Sequence, residues 1–255
     1  MTSQIADGRQ LHGPGLTDVR MMKVAHDNFR RELGLSPAAV RRTVAGDERR
    51  TREVADHVGL FLALLHHHHT IEDDLLWDAL LERVPQELAP LVHVMESQHE
   101  TVAGLLEQSN ATLDIWRTTA SSSDGEALAR VLTELCAALF EHLQAEETHL
   151  LPLMARHITT AEWAEFTAQG MSSIPRRKMF LGFGMMLYEG DPEVIGLELA
   201  NLPAPARRLL PSIGRRAFRR YARRIHGTST PRRSSDLVVT LAPATKHVTD
   251  QGVSS

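Results

Sequence analysis

The segment FLALLHHHHTIEDDLLWDAL at 61–80 decides the fold, together with its echo LFEHLQAEETHLLPL at 139–153. At about 100° per residue on a helix, Phe61, Leu64, Leu65, Leu75 and Ala79 gather within about 60° of His68. Of the four consecutive histidines only His68 lies on this apolar stripe, and Glu72 joins it one turn later. His66, His67 and His69 point to solvent, with His69 near enough to stand behind a site as a supporting group. In the second segment Leu139 and Leu153 gather around His142, joined by Val131, Leu135 and Ala138, and Glu146 stands to His142 as Glu72 stands to His68. His149 falls on that face too, placed to add an imidazole. Two inward His-x-x-x-Glu pairs on separate helices are a pattern that chance packing does not explain.

Working outward, the same periodicity marks a first helix over 16–33, capped by Thr17 or Asp18 and closed by Gly34 and Pro37. The helix carrying His68 begins after Gly46-Asp47 and runs to about 84, where Pro85 stops it. A third spans 87–119. The Ser-rich turn at 121–125 then opens the fourth, which ends near 157. Nothing over 16–158 alternates with period two, and short connections favour antiparallel neighbours. The expected fold is therefore all-α, an up-down-up-down four-helix bundle. The first helix adds His26, on a face with Val19, Met22, Phe29 and Leu33. The third adds His99, with Val92, Met95, Ala103 and Leu106.

Six side chains thus converge on the bundle axis: His26, His68, Glu72, His99, His142 and Glu146. Burying an ionised carboxylate costs several kcal/mol even after relaxation, and buried imidazoles need partners. Hydrogen-bonded core histidines without a metal are the plain alternative, but two inward glutamates weigh against it. Two cations reverse the sign, with the glutamates bridging and two imidazoles for each ion. Imidazole plus carboxylate without thiolate suits iron, ahead of manganese and zinc.

This histidine-rich set, with His-x-x-x-Glu in place of the Glu-x-x-His of ferritin-like bundles, resembles the hemerythrin-like (HHE cation-binding) family. The likeness covers 16–158 and the short helix holding Trp163 that follows. All six positions match the pattern of the branch that includes the repair-of-iron-centres proteins. The resemblance implies a non-haem di-iron centre that binds or senses dioxygen, nitric oxide or iron. An oxidoreductase acting on peroxide or nitric oxide is the alternative, so enzymatic turnover stays open. Two departures set the chain apart from oxygen-carrying hemerythrins. Met95 and Ala103 flank His99 where those proteins have a second histidine, and Glu146 lies four residues after His142, with Glu147 at the fifth position where they have aspartate. An extra open coordination position is implied.

The rest of the chain divides by composition. Residues 1–15 read as a flexible N-terminus and 16–170 as the metal-binding bundle. Residues 171–226 read as an extension with an apolar flap around 179–186 and a basic amphipathic helix at 204–226, and 227–255 as a disordered tail. The flap is a candidate lid over the metals. Gly182-Phe183-Gly184 lacks the third glycine and preceding strand of a nucleotide fingerprint. Residues 1–206 hold 17 Lys plus Arg against 30 Asp plus Glu, whereas ten arginines and no acid lie between Arg207 and Arg233. The basic helix is expected on the acidic body or on an anionic surface, and nucleic acid is not an expected partner. The single cysteine, Cys136, excludes internal disulfides and Cys-based metal sites. No signal-like or membrane-spanning run occurs, so a cytoplasmic protein is expected.

Overall fold

A computed structural model describes residues 11–241, and every regular element among them is helical. Helix α1 spans Arg20–Arg41 and α2 spans Glu48–Glu72, continuing through a π turn at Asp73–Trp77 into α3, Asp78–Arg83. Helix α4 spans Pro85–Thr119. Helix α5, Ser122–Ala145, continues through a second π turn at Glu146–Leu150 into α6, Leu151–His157. Around the bundle α1 touches α2, α2 touches α4, α4 touches α5, and α5 returns to α1, which is the antiparallel ring that short connections predict.

Local chemistry sets most boundaries. Asp47 caps α2 by accepting from the Arg50 amide, and Ser121 caps α5 through the Asp124 amide. Pro85 ends one helix by opening the next, at a first-turn position where its missing N–H costs nothing. At the start of α1 Val19 carries no side-chain cap, but Asp18, one of the two expected caps, accepts from the Arg20 amide, while Thr17 donates to the Ile158 carbonyl and pins the start of α1 to the end of α6. The end departs from expectation, since α1 runs eight residues past 33, through Pro37. Leu33, Ser36, Ala39 and Val40 are all buried along that stretch, and their packing outweighs the one backbone bond that proline removes. Gly34 is a close-approach residue there, because a Cβ would sit 3.2 Å from the Phe140 ring.

Beyond the bundle, Thr159 caps α7 (Thr160–Ser172) in a reciprocal capping box with Glu162. Helices α8 (Met179–Glu189), α9 (Pro192–Ala200) and α10 (Ala204–His226) follow. The stretch from 227 was expected to be disordered, yet it holds α11, Ser234–Leu241, with Leu237 buried beside Phe140 and Gly34. Leu237 packs there because α1 supplies the facing surface at Gly34. The rest of that expected tail, 242–255, and most of the expected flexible N-terminus, 1–10, lie outside the described residues.

Helices α8 and α10 cross where glycine meets glycine. A Cβ on Gly184 would lie 2.1 Å from the Gly214 carbonyl oxygen, a backbone atom that cannot yield. Gly184→Ala should therefore lower stability by about 1–3 kcal/mol, as overpacking does. Gly104→Ala, on α4 with nothing near its Cβ, should raise it by about 0.4–1 kcal/mol. Thermal melts of the two variants check both signs.

Candidate metal centre

The apolar core is split. One cluster, including Leu33, Leu62, Leu65, Leu106, Leu135 and Leu139, fills one part of the bundle; Met22, Ile71, Leu76, Leu88, Met95 and Leu150 belong to another. Each histidine-bearing helix passes from one cluster to the other through a polar residue of the set. His26 stands between Met22 and Phe29 on α1, and His99 between Met95 and Val102 on α4.

All six sequence-predicted residues meet in this layer. His26, His68 and Glu72 bring one donor atom each within 4.8 Å of one another, and His99, His142 and Glu146 form a second such trio. Glu146 joins the two, with Oε2 3.5 Å from His26 Nε2 and Oε1 3.6 Å from His142 Nε2. His68 Nε2 lies 3.2 Å from Glu72 Oε1. His26, Glu72, His142 and Glu146 are essentially inaccessible, and His68 nearly so.

What orients the imidazoles was only partly visible in the sequence. The acid after each glutamate reaches to the inward histidine of a neighbouring helix. Glu147 takes His26 Nδ1 at 3.0 Å, and Asp73 takes His99 Nδ1 at 3.2 Å. With Nδ1–H donated to a carboxylate, the Nε2 lone pair is left facing inward, which is how metal-binding histidines are held. Arg30 also donates to Glu147. Although burial opposes its ionisation, His26 and Arg30 hold the Glu147 carboxyl at about 2.

A seventh residue belongs to the layer. His69, expected to point to solvent or at most to support the site, is buried, stacked on His99 with centroids 5.0 Å apart and edge-on to His142 at 5.0 Å. The run of four histidines signalled it, but its angle from the stripe put it at the margin, and only the close approach of α4 on that side encloses it. His149 moves the other way and is exposed. The π turns explain both this and the apolar register beyond them. A π turn takes one more residue than even winding, so positions past Glu72 and Glu146 shift by one. Leu76 and Leu80 are buried where even winding gives Leu75 and Ala79, and Leu150 is buried beside the displaced His149.

The atoms facing inward have no hydrogen-bond partner. They are Nε2 of His26, His68, His69, His99 and His142, and both carboxylate oxygens of Glu72 and of Glu146. Burial pushes His26, His99 and His142 below the usual imidazole range, and His68 and His69 well below it. Burial, reinforced by neighbouring carboxylates, raises Glu72 well above its ordinary value and Glu146 to about 8. Unpartnered neutral imidazoles around two carboxyls are costly as a hydrogen-bonded core. They fit a cation pair, which would take both the lone pairs and the carboxylate charge.

An apolar cavity of about 200 Å³ reaches this layer from the side. Met22, Phe29 and His68 line its inner end, Trp163 comes from α7, and Leu181 and Met185 from α8.

A helical bundle interrupted at mid-length by a buried layer of imidazoles and glutamates defines a metal-binding helical protein. Residues 17–154 match the family model described as Hemerythrin HHE cation binding domain, and the chain belongs to that family. No curated protein and no solved structure matches it at a significant level. No helix among the described residues is long and apolar enough to cross a membrane.

The raised glutamates set a pH signature. In metal-free protein, folding holds protons on Glu72 and Glu146 that the unfolded chain releases above its ordinary value of 4.5, so stability falls as pH rises toward 8. The imidazoles act oppositely, but only below their ordinary 6.5. Between pH 6.5 and about 8 the melting temperature of stripped protein should therefore fall, and that of metal-loaded protein should not. Calorimetry on both forms, with Glu146→Gln abolishing part of the slope, tests this.

Proposed function

We propose that the chain is a non-haem di-iron protein that binds or senses a small diatomic, dioxygen or nitric oxide. The carrying observation is the inward layer of unpartnered Nε2 atoms around two unpartnered carboxylates. In this reading His26 and His68 hold one ion, His99 and His142 the other, and Glu72 and Glu146 serve both. The span of Glu146 between His26 and His142 supports the shared role. Manganese and zinc are the competing ions. When bound, an iron pair of this kind supplies open positions for a small ligand.

The protein's own part is binding, orientation and exclusion of water. Glu147 and Asp73 fix the tautomers of His26 and His99, so their Nε2 lone pairs stay available. The apolar lining of the cavity favours an uncharged diatomic over water or an anion on its way to His68. Because Glu72 and Glu146 carry protons in the empty site, loading releases them, and affinity should weaken as pH falls.

Full-length protein purified without oxygen should carry about two irons per chain, and Glu72→Ala or Glu146→Ala should lose them. Unchanged metal content in both variants would remove the shared-glutamate assignment. Leu181→Trp narrows the cavity without touching the layer. It should slow nitric oxide association roughly tenfold, about 1.4 kcal/mol of barrier, with iron content unchanged. An unaltered rate in stopped-flow measurements means that the ligand enters elsewhere, and sustained consumption of peroxide or nitric oxide would make the protein an oxidoreductase.

A further inference from the structure

A second cluster of metal-ligating side chains lies outside the layer just described. Glu32 of α1, His57 of α2 and His226, the last residue of α10, bring one donor atom each within 4.8 Å of one another. Glu32 and His57 are buried, and the His226 side chain is only 3% exposed. His57 lies eleven residues before His68 in the sequence, about 16 Å along the helix, so this is a separate place in the fold.

We propose that Glu32, His57 and His226 form a mononuclear site for a divalent transition-metal ion of the zinc class, which ties the end of α10 to the bundle.

The geometry argues it in three steps. Glu32 Oε2 is the hub, 2.9 Å from His226 Nε2 and 3.8 Å from His57 Nε2. A tetrahedral ion with bonds of about 2.0–2.1 Å holds its donors about 3.3 Å apart, so small side-chain shifts suffice. Next, His57 is held like a metal ligand: its Nδ1 is 2.8 Å from the Tyr221 hydroxyl, while Nε2 is buried with no partner and faces Glu32. A purely hydrogen-bonded cluster would leave that nitrogen unsatisfied, which buried polar atoms seldom are. Last, the charge suits a cation. Arg31 Nε sits 2.7 Å from Glu32 Oε1, but its Nη1 pairs at 2.7 Å with Glu189, leaving two carboxylates to one guanidinium.

Two imidazoles and one carboxylate form a donor set that zinc uses, with the fourth position left to water. Burial opposes ionisation of Glu32, yet Arg31, with His226 and His57, holds it at about 2; burial lowers His57 to about 3. The carboxylate is therefore charged and the His57 imidazole neutral at neutral pH. Binding needs only that the His226 hydrogen move from Nε2 to the other ring nitrogen, Nδ1, which has no partner of its own.

Cobalt(II) is the probe, because tetrahedral coordination gives it strong visible absorption. Stripped full-length protein is titrated alongside His57→Ala and His226→Gln, the latter keeping a donor toward Glu32. Both variants should bind one equivalent less than wild type and lose the tetrahedral bands. The Glu72→Ala, Glu146→Ala double variant, altered only in the bundle layer, should keep them, which separates this site from the other. Equal stoichiometry and spectra in wild type and the two histidine variants overturn the proposal. A measurement on wild type alone guards against misfolded variants. Saturating cobalt should broaden the amide signals of Tyr221 and Gly227 beyond detection, and their persistence also overturns the site.

Discussion

Two carboxyl groups buried among imidazoles midway along the bundle are the constraint on which the rest depends. Leucine at those positions would let the two apolar clusters merge into one core. Instead Glu72 and Glu146 sit in a layer with unpartnered oxygens, each a penalty of several kcal/mol if ionised alone. Burial relieves it in one way, by keeping the glutamates protonated and the imidazoles neutral. A cation pair would relieve it in another, and metal affinity and fold stability would then draw on the same groups.

The layer is built twice from one design. Helices α2 and α5 each carry His, with Glu one turn later and a second acid directly after it, where the winding opens into a π turn. The second acid, Asp73 or Glu147, leaves its own helix to orient a histidine on another: His99 on α4 or His26 on α1. Evenly wound helices with the second acid on the same stripe would add a third and fourth negative charge to the layer. The π turns come where the stripe must change from polar to apolar, and they seat Leu76 and Leu150 against the neighbouring cluster. Duplication also explains why Glu146 reaches both trios: the two halves meet across the axis, and no single helix supplies a closed set of donor atoms.

Sequence periodicity made the bundle legible because apolar residues at helical spacing dominate 16–158, and the six inward residues came from the same count of angles. It failed where winding or partners depart from the local rule. Pro37 and Gly34 look like stops, but burial of Leu33 and Val40 carries α1 through them. His149 and His69 exchange places because a π turn and the approach of α4 are not encoded in 100° steps. Glu32, His57 and His226 drew no notice at all. They are far apart in sequence, and only the return of α10 to α1 and α2 brings them together.

That return gives the extension a structural part in the site. Helix α8 walls the cavity with Leu181 and Met185 and is held in turn by α10 through the Gly184–Gly214 crossing and Phe218. Six arginines of α10, from Arg215 to Arg224, face solvent, and the helix docks instead by Gly214, Phe218, Ala222 and Ile225. Polar contacts fasten its end: Arg50 of α2 donates to the Arg224 and Ile225 carbonyls, Tyr221 meets His57, and His226 meets Glu32. The basic face is thus left free of the docking surface. Helix α10 bears on α8 backbone against backbone at the glycine crossing, where no side chain stands between them to yield, and α8 in turn sets one wall of the cavity beside His68 through Leu181 and Met185.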